Sequence, residues 1–186
     1  MSDVNIIINY FLIKVGASED IQNCADEGIQ IFGGNIKSMI ESVRIINKVK
    51  PDIIDINYGC PVKKVVSKGA GAGILKDIDK MVAMTKAIVQ ESKFPVTIKT
   101  RLGWDNNSKY IVEVAEKLQD VGIKAISIHG RTSKQMYKGE ADWDLIGKVK
   151  NNPRMKIPVF GNGDINSPEK AKLMFERYGA VSYTHL

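Results

Sequence analysis

Cysteine, histidine and tryptophan are all scarce, with two of each among 186 residues. Two cysteines, Cys24 and Cys60, cannot found a disulfide framework, so a reducing cytoplasm is the expected compartment. The only histidines are His129 and His185, and no second cysteine lies near Cys60, so the spacing offers no metal-ligand pattern and no metal is expected. Long apolar runs are missing too. Nothing approaches the roughly 18 residues of a membrane span. The apolar stretch 6–15 is interrupted by Asn9 and Lys14 and has no small-residue cleavage site after it, which makes it a poor signal peptide. Nor does any Ser/Pro-rich linker or low-complexity tract divide the chain. What is present is ordinary globular usage, 44% hydrophobic and 26% charged, which argues against wholesale disorder. Lys and Arg number 27 against 21 Asp and Glu, and the resulting charge of +6 permits a polyanionic partner without requiring one.

Short β-rich runs alternate with helical patterns. Strands are predicted at 29–32, 53–57, 96–100, 125–129 and 157–161. Apolar residues at helical spacing predict helices over 36–49, 79–92 and 109–121, and Ser167-Pro168 reads as the N-cap and first residue of another. Strands made mostly of apolar runs, each followed by a helix, indicate parallel strands buried on both faces. Polar clusters fall at successive strand ends: Gln30, Asn57 to Cys60, Lys99 to Arg101, His129 to Arg131 and Gly161 to Asp164. An open sheet would spread these along an edge, whereas a (β/α)8 TIM barrel gathers them at one mouth, so the barrel is favoured.

The segment 52–77, DIIDINYGCPVKKVVSKGAGAGILKD, carries the most information. A lone Cys is most often a small buried hydrophobe. Cys60, however, follows a strand that ends in the polar Asn57, and Gly59 between them permits close backbone approach, so Asn57 and Cys60 can face one pocket. The glycine-rich run 68–73 matches neither the P-loop nor the dinucleotide fingerprint, and a tightly packed loop under the mouth is at least as good a reading. Lys63, Lys64 and Lys68 could meet nucleic-acid phosphate or form a solvated basic face. Lys99 and Arg101 alternate along a strand and so point to one side, a costly arrangement unless an anion or a carbonyl-rich ligand sits there. His129 is either a satisfied structural histidine or a site residue, and 161–164 is either a plain turn or a phosphate-binding backbone.

Taken together, IQIFGGN (29–35), the 52–77 segment, VTIKTRLGW (96–104), ISIHGRTSKQMYKGEADW (126–143) and PVFGNGDI (158–165) resemble the tRNA-dihydrouridine synthases. The resemblance runs from about Gly28 to Ala180. It implies an FMN-dependent oxidoreductase, driven by NADPH or NADH, that reduces the C5–C6 double bond of particular tRNA uridines. Hydride passes from reduced FMN to C6, and Cys60 corresponds to the proton donor to C5. On the same resemblance Asn57 and Arg101 contact the uracil. Gln30, Lys99, His129, Asn162, Gly163 and Asp164 correspond to FMN-binding positions. The implied partner is tRNA; no membrane is involved, and a monomer is expected.

Three features depart from the family pattern. The Pro-Met-Ala-Gly first strand is unrecognisable, the last strand ending in Gly-Arg is missing, and so is the helical C-terminal domain. The expected organisation is therefore an atypical segment 1–27, a partial TIM-barrel flavin domain over 28–180 and a non-family tail 181–186, in which His185 has no site role. Two other readings stay open: a related FMN barrel dehydrogenase acting on a free pyrimidine, or a non-catalytic truncated remnant.

Overall fold

Alternation of side chains along the strands organises the protein. The computed structural model describes residues 5–8, 11–13 and 28–182. Its strands are β1 (Asn5–Ile8), β2 (Phe11–Ile13), β3 (Gly28–Phe32), β4 (Ile53–Asn57), β5 (Val96–Arg101), β6 (Ala125–His129), β7 (Val159–Asn162) and β8 (Val181–Ser182). They form one sheet in the order β2-β1-β3-β4-β5-β6-β7-β8. From β3 to β8 every neighbouring pair is parallel, while β1 pairs antiparallel with both β2 and β3. The helices are α1 (Ile36–Val49), α2 (Lys63–Val66), α3 (Ile78–Glu91), α4 (Ile111–Asp120), α5 (Trp143–Lys150) and α6 (Pro168–Tyr178), with a 3-10 turn over Gly71–Lys76. Among the described residues no helix is long and apolar enough to cross a membrane.

Ile29, Ile31, Ile54, Ile56, Val96, Ile98, Ile126, Ile128 and Val159 share the helix-covered face of the sheet and are buried. Onto them pack Met39, Val43 and Ile46 of α1, Met81, Met84 and Ile88 of α3, Val114 and Leu118 of α4, and Ile146 and Val149 of α5. Each fully buried aliphatic side chain of this kind contributes about 1.5–3 kcal/mol. Side-chain caps fix where the helices begin. Asn35 accepts from Ser38 N–H, Asp77 from Lys80, Asp142 from Leu145 and Ser167 from Lys170, the last with Pro168 following as expected.

The opposite face differs from expectation. The strands read as mostly apolar runs buried on both faces with polar residues at their ends, yet Gln30, Asp55, Asn57, Thr97, Lys99, Arg101, Ser127, His129 and Asn162 occupy the phase between the buried isoleucines. Parallel pairing sets them in rows. Gln30, Asp55 and Thr97 are register partners, then Asn57, Lys99 and Ser127, then Arg101, His129 and Asn162. The polar residues thus form an inner face rather than decorating strand ends alone.

Several boundaries differ by one or two residues from the expected ones, among them the start of β3 at Gly28, the end of β5 at Arg101 and the helix α4 over 111–120 rather than 109–121. No strand was predicted before residue 29, yet β1 and β2 precede β3. β7 begins at Val159 rather than at 157, because Pro158 has no N–H for the ladder although its carbonyl accepts from Ile126 at 3.1 Å. The remainder of the expected segment 1–27, including Cys24, lies outside the described residues, as do 183–186 with His185.

Candidate active site

At the C-terminal ends of β4 to β7 the inner face opens into a cavity of about 480 Å³. It is lined by Asn57, Gly59, Cys60, Lys99, Arg101, His129, Arg131, Tyr137, Asn162, Gly163 and Asp164 among others. Of the nine site residues expected from the sequence, eight meet here. Gln30 does not line the cavity. It sits mid-strand in β3, one row deeper, where its Oε1 accepts from Asn57 Nδ2 at 2.9 Å.

The Cys60 loop is held from several directions. Asn57 Oδ1 accepts from the N–H groups of Gly59 at 2.9 Å and Cys60 at 3.0 Å, an Asx-type turn that places the thiol just past the strand. The Cys60 carbonyl accepts from Ala72 N–H at 2.9 Å. The glycine-rich run expected to be either a phosphate cradle or a packed loop is the latter, with Gly71 to Leu75 buried beneath Cys60. Gly71, at φ 53°, is required there, because a Cβ would lie 2.7 Å from the Cys60 carbonyl oxygen. Cys60 itself is a free cysteine and partly exposed.

Arg101 is buried and acts as a tether. Its Nε donates to the Gly59 carbonyl at 2.7 Å, and its Nη1 donates to the carbonyls of Thr132 at 3.2 Å and Met136 at 2.8 Å. The carbonyl-rich environment that two same-facing cations demand is therefore supplied in part by the protein's own loops. Burial lowers the Arg101 and Lys99 pKa values from their ordinary positions, while the Asp55 carboxylate works against that fall at Lys99. Lys99 Nζ also donates to Asn162 Oδ1 at 3.4 Å.

His129 stands between these cations. Burial, then the charges of Arg101, Lys99 and Arg131, push its pKa down to about 3, against a smaller pull from Asp164, so the ring is neutral. Its Nδ1 is buried and has no partner among the described residues. Beside it, Asp164 at φ 58° accepts from Arg131 Nη2 at 2.6 Å and from Ala141 N–H at 2.7 Å. Burial works to raise this carboxyl, but the Ala141 N–H and Arg131 outweigh it and hold it below the ordinary carboxylate range. Gly163, at φ 119°, presents bare backbone to the cavity, and its carbonyl accepts from Trp143 Nε1 at 2.9 Å.

Three cations, Lys99, Arg101 and Arg131, thus face the cavity against one carboxylate, Asp164, already paired with Arg131. Such a lining suits an anion, and the orphaned His129 Nδ1 suits a ligand with a hydrogen-bonding group. The volume lies in the range of small-molecule sites.

The family model described as "Dihydrouridine synthase (Dus)" matches residues 16–182. The chain belongs to this family. It is 45% identical over 152 residues to "tRNA-dihydrouridine synthase B" of Vibrio vulnificus (strain CMCP6), covering 82% of the chain and 47% of that protein. Against the protein of the same name from Pseudomonas syringae pv. tomato (strain ATCC BAA-871 / DC3000) the identity is 42%, covering 82% and 44%. The "Probable tRNA-dihydrouridine synthase" of Treponema pallidum (strain Nichols) is 38% identical, covering 80% and 46%. The chain spans about half the length of the curated relatives it matches.

In this member of the dihydrouridine synthase family, three residues at or behind the site were not expected from the sequence. Arg131 stood in a recognised polar cluster but was not given a role. Tyr137 reaches the mouth from a loop, with the Arg101 guanidinium 5.8 Å from its ring centre, and no periodicity marks such a position. Asp55 shares the strand phase of Asn57, which is the signal that could have found it.

Proposed function

We propose that this chain carries the catalytic site of an FMN-dependent tRNA-dihydrouridine synthase, built on part of a (β/α)8 barrel whose strand ends form the reaction mouth. The observation that carries the reading is the cavity that brings Asn57, Cys60, Lys99, Arg101 and His129 together at the ends of successive parallel strands. Its positive lining and unpartnered His129 nitrogen fit a flavin phosphate ester. Lys99, His129, Asn162, Gly163 and Asp164 would hold the FMN, with Gln30 behind them. FMN held there and reduced by NADPH or NADH would supply the hydride chemistry at uracil C6.

The protein's own groups do the rest. Asn57 and Arg101 orient the uracil and stabilise the negative charge that grows on its carbonyls as C6 gains a hydride. Cys60 gives its thiol proton to C5, which completes the saturated C5–C6 bond, and the resulting thiolate regains a proton from water. The close packing of the loop over Gly71 keeps Cys60 at the end of β4. A uridine must leave its stack to reach this depth, at a cost of a few kcal/mol, and exposed Lys63, Lys64 and Lys68 beside the mouth supply charge for tRNA phosphates. Two cysteines and a +6 chain suit a cytoplasmic enzyme acting on tRNA.

The test is Cys60→Ala in the purified, FMN-loaded protein. Flavin content and its bleaching by NADPH should be retained, while dihydrouridine formed on unmodified tRNA falls at least about a hundredfold, the usual weight of a general acid. Unchanged turnover of tRNA would refute the proton-donor assignment. Reduction of free uracil with none on tRNA would refute the substrate.

A further inference from the structure

Asp55 belongs to the inner face but does not line the cavity, and the reaction as described makes no use of it. Both of its oxygens are engaged: Thr97 Oγ1 donates to Oδ1 at 2.7 Å and Gln30 Nε2 donates to Oδ2 at 2.6 Å. Gln30 Oε1 accepts from Asn57 Nδ2 at 2.9 Å. Asn57 Oδ1 in turn accepts from the N–H groups of Gly59 and Cys60. Asn57, Gln30 and Asp55 therefore form one hydrogen-bond chain in which every link points from the Gly59 and Cys60 N–H groups toward the carboxylate, while Thr97 donates to that carboxylate from the opposite side.

That uniform direction has a chemical origin. A primary amide can present either its oxygen or its NH2 to a neighbour, so Gln30 and Asn57 could each be turned end for end. Two conditions fix them. An ionised carboxylate is an acceptor only, so Gln30 must offer its NH2 to Asp55 and its oxygen to Asn57. At the far end, two backbone N–H groups demand an oxygen from Asn57. The two demands agree only because the terminus is an acceptor; with a donor there, Asn57 would face the Cys60 loop NH2 to N–H. The strand register supports the arrangement independently, since Gln30 lies opposite Asp55 and Asp55 opposite Thr97.

We propose that Asp55 is a positioning residue whose carboxylate sets the orientation of the Gln30 and Asn57 amides and, through them, seats the Cys60 loop. Its relevance to turnover rests on the reading of Cys60 as proton donor. The chain itself is testable without flavin or tRNA, so failure of the enzyme reading and failure of this inference give different results. Burial raises the Asp55 pKa, and the hydrogen bonds from Thr97 and Gln30 and the charge of Lys99 act in the opposite sense, in favour of the ionised form.

The experiment is amide hydrogen exchange, read by NMR, at Gly59 and Cys60. The reference is the N–H of Tyr58, which donates to the Lys99 carbonyl and does not depend on the chain. Asp55→Leu should speed exchange at Gly59 and Cys60 about tenfold relative to Tyr58. Gln30→Met breaks the chain at its middle, should give the same selective effect, and carries the test if Asp55→Leu does not fold. Asp55→Asn should retain protection, because the amide oxygen can take the place of the carboxylate oxygen that accepts from Gln30 while the NH2 donates to the Thr97 hydroxyl. Unchanged exchange at Gly59 and Cys60 in the leucine or methionine variants would overturn the proposal. So would equal acceleration at Tyr58, which marks general loosening, or loss of protection in Asp55→Asn as large as in Asp55→Leu.

Discussion

Acidification should weaken the fold through His129. Its pKa in the folded protein is pushed down to about 3, first by burial and then by Arg101, Lys99 and Arg131, whereas an unperturbed imidazole titrates near 6.5. A depressed folded pKa means that the folded state resists protonation. Stability is therefore complete above pH 6.5 and is lost progressively as the pH falls toward 3. At roughly pH 5 the unfolded imidazole is protonated by about thirty to one while the folded one is neutral, a penalty of about 2 kcal/mol. His129 retains partial exposure, and solvent screening brings the expected loss to about 1 kcal/mol. The assay is urea denaturation at roughly pH 7.5 and pH 5, on the parent protein and on His129→Asn. The parent should lose about 1 kcal/mol more than the variant between the two conditions, since other titrating groups contribute to both and cancel in the difference. Equal losses would refute the electrostatic account of this ring. A smaller loss in the parent would reverse its sign.

Two further outcomes follow from the packing. Thr85 Oγ1 donates to the Met81 carbonyl at 2.8 Å, so in the 3.1 Å pair with Tyr58 the phenol must be the donor. Tyr58→Phe should accordingly cost about 1 kcal/mol, Thr85→Val about 2 kcal/mol because it strands a buried hydroxyl, and the double variant less than the sum. Chemical denaturation of the three variants checks the order, and a costlier Tyr58→Phe would contradict the assigned donor. Gly71→Ala forces a Cβ against the Cys60 carbonyl at positive φ and should cost about 2 kcal/mol. It should also change the alkylation rate of the Cys60 thiol; a variant with parental stability and thiol reactivity would show that the contact is not tight.

Much of this was legible in the chain. β4 and β6 have the bounds the pattern predicts, as does α1, because short apolar runs bounded by turn residues, and an amphipathic helix with an Asn cap, leave little freedom. The meeting of Asn57, Cys60, Lys99, Arg101 and His129 was readable because all lie at strand ends, which a parallel sheet collects on one side. Reading the strands as mostly apolar runs, polar only at their ends, hid the rest. Asp55, Thr97 and Ser127 looked like isolated polar residues inside apolar runs, when their shared phase with Asn57, Lys99 and His129 makes them one surface. Arg101 was expected to contact substrate, and its engagement with the carbonyls of Gly59, Thr132 and Met136 depends on loops from two different strand ends, which no local pattern foretells. β1 and β2 went unpredicted because strand pairing is a non-local event and the stretch 6–15 carries neither clean alternation nor a recognisable turn.

The rows of the inner face also bear on how such a gene can change. Because strand side chains alternate with period two, deletion of a single codon within β5 would rotate everything beyond it by one position. Ile98 or Thr100 would then stand where Lys99 and Arg101 now point inward, and the cations would be driven into the helix-covered core. Point substitutions on the outer helices and length changes in the connecting loops leave that phase untouched. The reading frame of the strands is thus itself a chemical constraint: residues that never approach a ligand, such as Ile98, hold their neighbours in step with it.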